Sequence, residues 1–161
     1  MNKVPAFLCD AMVGKLARLL RIFGFDAVYA EDIENSAPDS KLLEFALKNN
    51  RIILTRDLAF HKIAGSSSLY LDEIDPYKNL IFIKNVLNLT LDFSIKNARC
   101  SACNSLLKKI EKKSQVKHLV KPDTYQTFDD FYLCTNEQCK KVYWKGSHIE
   151  KILLKLRNME N

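Results

Sequence analysis

The sequence predicts an α/β fold: strands of a parallel sheet alternating with helices, followed by a small cysteine-rich module. Three observations support this. Short apolar runs alternate with amphipathic stretches up to about residue 95. Two of those runs lead into aspartates, Ala6-Phe7-Leu8-Cys9 into Asp10 and Ile52-Ile53-Leu54 through Thr55 and Arg56 into Asp57. Beyond residue 95, four cysteines fall into two close pairs.

Taken in order, 6–9 reads as a first strand. Met12, Leu16, Leu19, Leu20 and Phe23 recur at helical spacing and predict a helix with an apolar stripe. Lys15, Arg18 and Arg21 form a basic stripe beside it. Gly24 ends the helix. Ala27-Val28-Tyr29 is the next strand, and 31–37 reads as a polar loop. Pro38 and Asp39 suit the start of a helix whose buried face is Leu42, Leu43, Ala46 and Leu47. Asn49-Asn50 stops it before the strand around Ile52-Ile53-Leu54. A short helix over 58–64, a strand over 69–71 and an amphipathic helix over 77–87 complete the first part. Strand, helix and strand in this order call for a parallel sheet with right-handed crossovers. The pattern changes near 91–98, which divides the chain into 1–95 and 96–161.

Composition narrows the class. Four Gly and four Pro among 161 residues, with 47% hydrophobic residues, describe a chain that can bury an ordinary core. No apolar run is long enough to span a bilayer and the N-terminus has no signal-peptide pattern, so the expectation is a cytoplasmic protein with no membrane partner. The net charge of +6 is concentrated: 96–121 holds eight Lys or Arg against one acid, Glu111. A basic block near an acidic cluster suits a polyanion held beside a metal, and suits a solvated lysine face equally.

Cys100-x-x-Cys103 is followed thirty residues later by Cys134-x4-Cys139. Paired thiols in a reducing compartment predict a tetrahedral zinc site with every position filled, hence structural zinc. Cys9, inside the first strand, reads as a small buried apolar residue.

The acids predict the second metal. Asp10 and Asp57 follow strands, and Asp39 opens a helix, so all three can face one sheet edge. Such oxygen ligands suit Mg²⁺ or Mn²⁺, which can activate a water against a phosphodiester. Asp39 serves equally well as a helix-start residue. Asp72, after the fourth strand, is a further candidate ligand. Thr55 is placed to hydrogen-bond a ligand carboxylate. Lys15, Arg18 and Arg56 are placed to hold phosphates. Trp144, with Lys145 beside it, could stack on an unpaired base or belong to the core.

At these residues a resemblance enters. Phe7-Leu8-Cys9-Asp10-Ala11-Met12, Gly14-Lys15-Leu16-Ala17-Arg18-Leu19-Leu20-Arg21 and Gly24-Phe25-Asp26 resemble the opening of the PIN-like RNase family named after the mutator-seven C-terminal domain. Leu54-Thr55-Arg56-Asp57 is similar to its second block. Arg99-Cys100, Cys103-Asn104 and Val142-Tyr143-Trp144-Lys145-Gly146-Ser147-His148 are similar to its zinc-ribbon tail. The resemblance implies a three-layer α/β/α sandwich with a central parallel sheet and an appended zinc ribbon. It also implies metal-dependent ribonuclease activity, with Asp10, Asp39 and Asp57 as the acidic site. RNA is the implied partner, and the residues alone leave DNA open. A non-catalytic RNA-binding adaptor with a relict acidic edge is the competing expectation.

Overall fold

A computed structural model describes residues 4–161. Strands β1 (Ala6–Cys9), β2 (Ala27–Tyr29), β3 (Arg51–Thr55) and β4 (Ser68–Tyr70) form a parallel sheet in the order β2-β1-β3-β4. The helices are α1 (Gly14–Ile22), α2 (Ala30–Ile33), α3 (Asp39–Lys48), α4 (Leu58–Ala64) and α5 (Pro76–Val86). A second, antiparallel sheet follows, made of β5 (Leu107–Lys109), β6 (Tyr132–Cys134) and β7 (Val142–Tyr143). Between β5 and β6 lies α6 (Pro122–Thr127), and α7 (Ser147–Glu160) closes the described chain.

The period-two alternation of β1 sorts its side chains into two cores. Phe7 and Cys9 join Leu16, Leu20, Leu80 and Ile83 beneath α1 and α5. Leu8 joins Ile53, Leu42 and Phe60 beneath α3 and α4. The result is the expected three-layer arrangement. The chain leaves β1 toward β2 through α1 and comes back past β1 to β3 through α3. Right-handed crossovers running in opposite directions put those helices on opposite faces. The carboxyl ends of β1 and β3 are therefore the topological switch point, where α/β sheets bind ligands.

Ile152 and Leu156 of α7 are buried in the α1–α5 core, so the last helix returns to the first sheet. Lys155 of α7 reaches Asp75 at 3.3 Å and stands 3.9 Å over the Tyr77 ring.

Four sequence expectations shift. Met12 is 52% exposed, because residues 11–13 form a 3₁₀ turn and Val13 goes inward instead. Leu47 is 58% exposed, because α3 ends within a residue of it and no later turn covers it. The stretch 31–37, expected as loop, begins inside α2, whose Ala30 is buried. Arg21, read as part of one basic stripe with Lys15 and Arg18, is buried instead, at 2% exposed.

Gly24 ends α1 at φ +88°, and a Cβ there would lie 2.8 Å from the Asn97 carbonyl oxygen. Both facts require glycine. Gly24→Ala is expected to cost roughly 1–3 kcal/mol, read as a lower urea midpoint; an unchanged midpoint would mean that the 94–98 segment does not press on α1.

Candidate active site and metal centre

Thr55 is fully buried at the end of β3 and organises the acidic edge. Its hydroxyl donates to Asp10 Oδ2 at 2.7 Å and accepts the Asp57 N–H at 2.9 Å. Asp10 Oδ1 accepts from the Ala11 N–H at 2.7 Å. Asp57 Oδ1 caps α4, accepting from the N–H groups of Ala59 and Phe60. Asp39 stands in the first turn of α3. Its carboxyl is held above the usual range by burial, then by the charges of Asp10 and Asp57. The three acids therefore share one electrostatic neighbourhood. Asp72 is exposed and lines a separate groove with Tyr70 and Phe82.

Beside this edge lies a cleft of about 550 Å³. Its wall takes up at Ala11, one residue past Asp10, and includes Arg56, one residue before Asp57. Lys15, Arg18 and Arg56 all line it. Among the described residues none of the three has an acidic partner within ion-pair distance. Tyr29 forms another wall. Its hydroxyl donates to the Ala11 carbonyl at 2.9 Å, and Gly14 leaves room for its ring. Burial, Glu31, Asp32 and Asp10 all raise the phenol's pKa, which keeps it neutral.

The remaining sequence candidates sit elsewhere. Trp144 is half-buried against Phe128 and Phe131, with ring centroids 6.2 and 6.0 Å away. Lys145 lines a different cleft, beside α7. Within the basic block, Lys109 and Lys113 are paired with Asp130 and Asp129.

The four cysteines converge. Sγ atoms of Cys100, Cys103, Cys134 and Cys139 all lie within 4.8 Å of one another. Cys100 and Cys139 are 3.7 Å apart, and Cys103 and Cys134 are 3.4 Å apart. Tetrahedral zinc with bonds of about 2.3 Å requires sulfur edges of about 3.8 Å, so the donor set fits zinc. The aspartates are not drawn together to that degree. The Tyr143 hydroxyl is 3.0 Å from Cys100 Sγ, and the Asn136 N–H donates to Cys134 Sγ at 3.4 Å. Residues just after each pair, Asn104 (φ 68°) and Lys140 (φ 50°), turn the chain through the left-handed region. Cys9 is fully buried, and burial pushes its thiol up to about 12.

The first knuckle is bolted to the parallel sheet. Arg21 Nε donates to the Ala27 carbonyl at 2.8 Å, Nη1 donates to the Ser101 and Ala102 carbonyls at 3.0 and 3.3 Å, and Nη2 donates to Asp32 at 3.1 Å. Asn104 accepts the Ala27 N–H at 3.1 Å and donates to Asp26 at 2.7 Å. Arg51 clamps Asp26 bidentately at 2.7 and 3.0 Å. Burial would raise the Asp26 pKa, but the bonds from Arg51 and Asn104 outweigh it and hold the carboxyl below the usual range. Ala102 also lines the basic cleft, so the knuckle forms part of its wall. Sequence reasoning missed this network. The available signal was Ala17, a small buried residue one helical turn before Arg21, which puts both on one inward face.

Fold and site together define an α/β domain with an acidic switch point and a basic cleft, joined to a four-cysteine ribbon. A family model described as the Mut7-C RNAse domain matches residues 5–156. The chain belongs to that family, which brings with it a nuclease-type function and RNA as the kind of substrate. No curated protein and no solved structure matches the chain. Among the described residues, no helix is long and apolar enough to cross a membrane.

Replacing Arg21 by Met would strand three carbonyls and Asp32, at an expected cost of roughly 3–5 kcal/mol. An unchanged denaturation midpoint would show that these groups need no cation. Elemental analysis of the purified protein is expected to find one zinc per chain, lost in Cys100→Ser; a zinc-free wild type would remove the metal centre.

Proposed function

We propose that the protein is a metal-dependent endoribonuclease, with residues 1–95 as its nuclease part and 96–161 as a structural zinc ribbon with a final helix. The observation that carries this reading is the Thr55 hydroxyl tying the Asp10 carboxylate to the Asp57 backbone at the switch point, with Asp39 near enough to feel both charges, next to a cleft whose three cations have no acidic partner among the described residues. The acids fit a hard divalent cation, Mg²⁺ or Mn²⁺. Asp39 holds its proton more readily than usual, first through burial and then through the charges of Asp10 and Asp57, a repulsion that a cation would relieve. Once bound, the metal would neutralise charge on the phosphodiester and acidify the attacking water.

The chain's own residues supply the rest. Thr55 and the Ala11 N–H fix the Asp10 carboxylate from two sides. The α4 N–H groups fix Asp57 through one oxygen and leave the other for the metal. Lys15, Arg18 and Arg56 hold phosphates in the cleft. Trp144 and Lys145, expected as RNA contacts, carry less of this reading, because the Trp144 ring packs on two phenylalanines.

Asp10→Asn and Asp57→Asn are each expected to lower Mn²⁺-dependent cleavage of labelled RNA by at least roughly 10²–10³-fold while RNA binding persists. Cleavage at the wild-type rate in both would sink the proposal. RNA binding without metal-dependent turnover in the wild type would favour the adaptor.

Asp39 adds a test that does not depend on activity. Its folded pKa lies above its unfolded one, so the folded state binds that proton more tightly. Ionised Asp39 therefore weakens the fold above the folded pKa, and the penalty fades as pH falls through it. Asp39→Asn is expected to raise the melting temperature at neutral pH without divalent cations. The gain should shrink in acid, and added Mn²⁺ should close the gap by stabilising the wild type. A lower melting temperature for the variant in cation-free neutral buffer would contradict the crowding.

A further inference from the structure

The basic cleft also carries two large apolar side chains left in solvent. Ile74 is 80% exposed and Met12 is 52% exposed, and both line the same cleft as Lys15, Arg18 and Arg56. They come from the loops that follow β4 and β1. Because β3 lies between those strands, the two loops flank the one that carries Arg56.

Ile74 is presented rather than merely loose. On one side of it, the carbonyl of Glu73 accepts a 2.8 Å hydrogen bond from Nδ2 of Asn79, a residue only 2% exposed. On the other, Asp75 caps α5 through the Tyr77 N–H at 2.9 Å and is reached by Lys155. The backbone is pinned on both sides while an aliphatic side chain is held out over a cationic cleft. Met12 is fixed in the same way, in a 3₁₀ turn capped by Asp10 and buttressed by the Tyr29 hydroxyl on Ala11.

A ligand that covers this surface must be anionic at one end and flat and apolar at the other. We propose that the cleft binds single-stranded RNA, with backbone phosphates on Lys15, Arg18 and Arg56 and an unpaired base lying against Met12 and Ile74. This rests on RNA being the substrate, and it selects single strands over duplex. A duplex turns its phosphates outward but keeps its base faces stacked, so it can satisfy the cations and leave the two apolar side chains wet. A single strand satisfies both, as in other grooves that pair a positive track with an apolar stacking surface. A free phosphate or a generic polyanion would use the cations alone.

The test measures binding separately from cleavage. Fluorescence anisotropy is recorded without added divalent cation on fluorescein-labelled oligouridylate and on an RNA duplex of the same length. The proteins are wild type, the Met12→Ser/Ile74→Ser double variant and Arg18→Ala. Both apolar side chains are exposed, so the double variant should melt with the wild type. It is expected to lose about fivefold in single-strand affinity, the weakest per-base contribution seen where bases stack on aromatic rings. Its slope of log affinity against log salt should not change, and its duplex binding should stay where it was. Arg18→Ala should weaken both RNAs and flatten the salt slope. Unchanged single-strand affinity in the double variant overturns the proposal, and so does an equal loss on duplex. Cleavage by wild type in Mn²⁺, run in parallel, reports on the nuclease reading independently. Cleavage without the apolar dependence leaves the enzyme and removes this inference. The apolar dependence without cleavage keeps the inference and removes the enzyme.

Discussion

One buried guanidinium joins the two sheets of this protein. Arg21 leaves α1, the helix that follows the first acid, and spends its donors on the β2 edge, on Asp32 and on two carbonyls of the first cysteine knuckle. The same helix presents Lys15 and Arg18 to the cleft. The position of the cationic wall and the position of the knuckle are thus set by one rigid element. A buried arginine left unpaired would carry a large desolvation cost, so the arrangement specifies itself: either every partner is in place or none is worth having. The ribbon is therefore part of how α1 is held.

The acidic edge follows the opposite logic. Arg21 is satisfied on all sides, whereas Asp10, Asp39 and Asp57 repel one another, with Thr55 bridging two of them and, among the described residues, no basic side chain within ion-pair distance of the third. The protein concentrates its unresolved charge at the one place where the topology opens the sheet to ligands. It does the same with cations across the cleft, where three basic side chains lack an acidic partner among the described residues. Stability given up at a site of this kind is the usual correlate of a surface organised for binding or catalysis.

The sequence exposed these features unevenly, for physical reasons. Strands β1 and β3 were legible because a strand buried on both faces must be apolar throughout, and each leads into a conspicuous aspartate. The cysteine pairs were legible because close paired spacing is the pattern a four-thiol metal site demands. Thr55 was legible by adjacency, since a hydroxyl two residues from Asp57 has few other places to go. Arg21 was not: the three-residue spacing that puts it in line with Lys15 and Arg18 also lets α1 rotate it inward behind Ala17, and composition cannot tell the two apart. Met12 misled because a 3₁₀ turn shifts the helical phase by a residue, and Leu47 because α3 ends before its last apolar position can be covered. The left-handed Asn104 explains why asparagine stands beside the knuckle, but its amide bonds to Asp26 and Ala27 exist only once the two sheets have met. Ile74 drew no reading from the sequence, because nothing local says that Asn79 will pin the loop beneath it.

The return of α7 has a consequence for how the chain matures. The α1–α5 face of the parallel sheet is finished only by Ile152 and Leu156, side chains synthesised long after Leu16, Leu20 and Leu80. During translation, the first sheet can pair its strands and fill its other face while this one still exposes aliphatic surface to solvent or to a chaperone. Domains made N-terminus first often fold as they emerge. Here the earliest part must wait for α7, and the four thiols made between them are in place before the clasp closes.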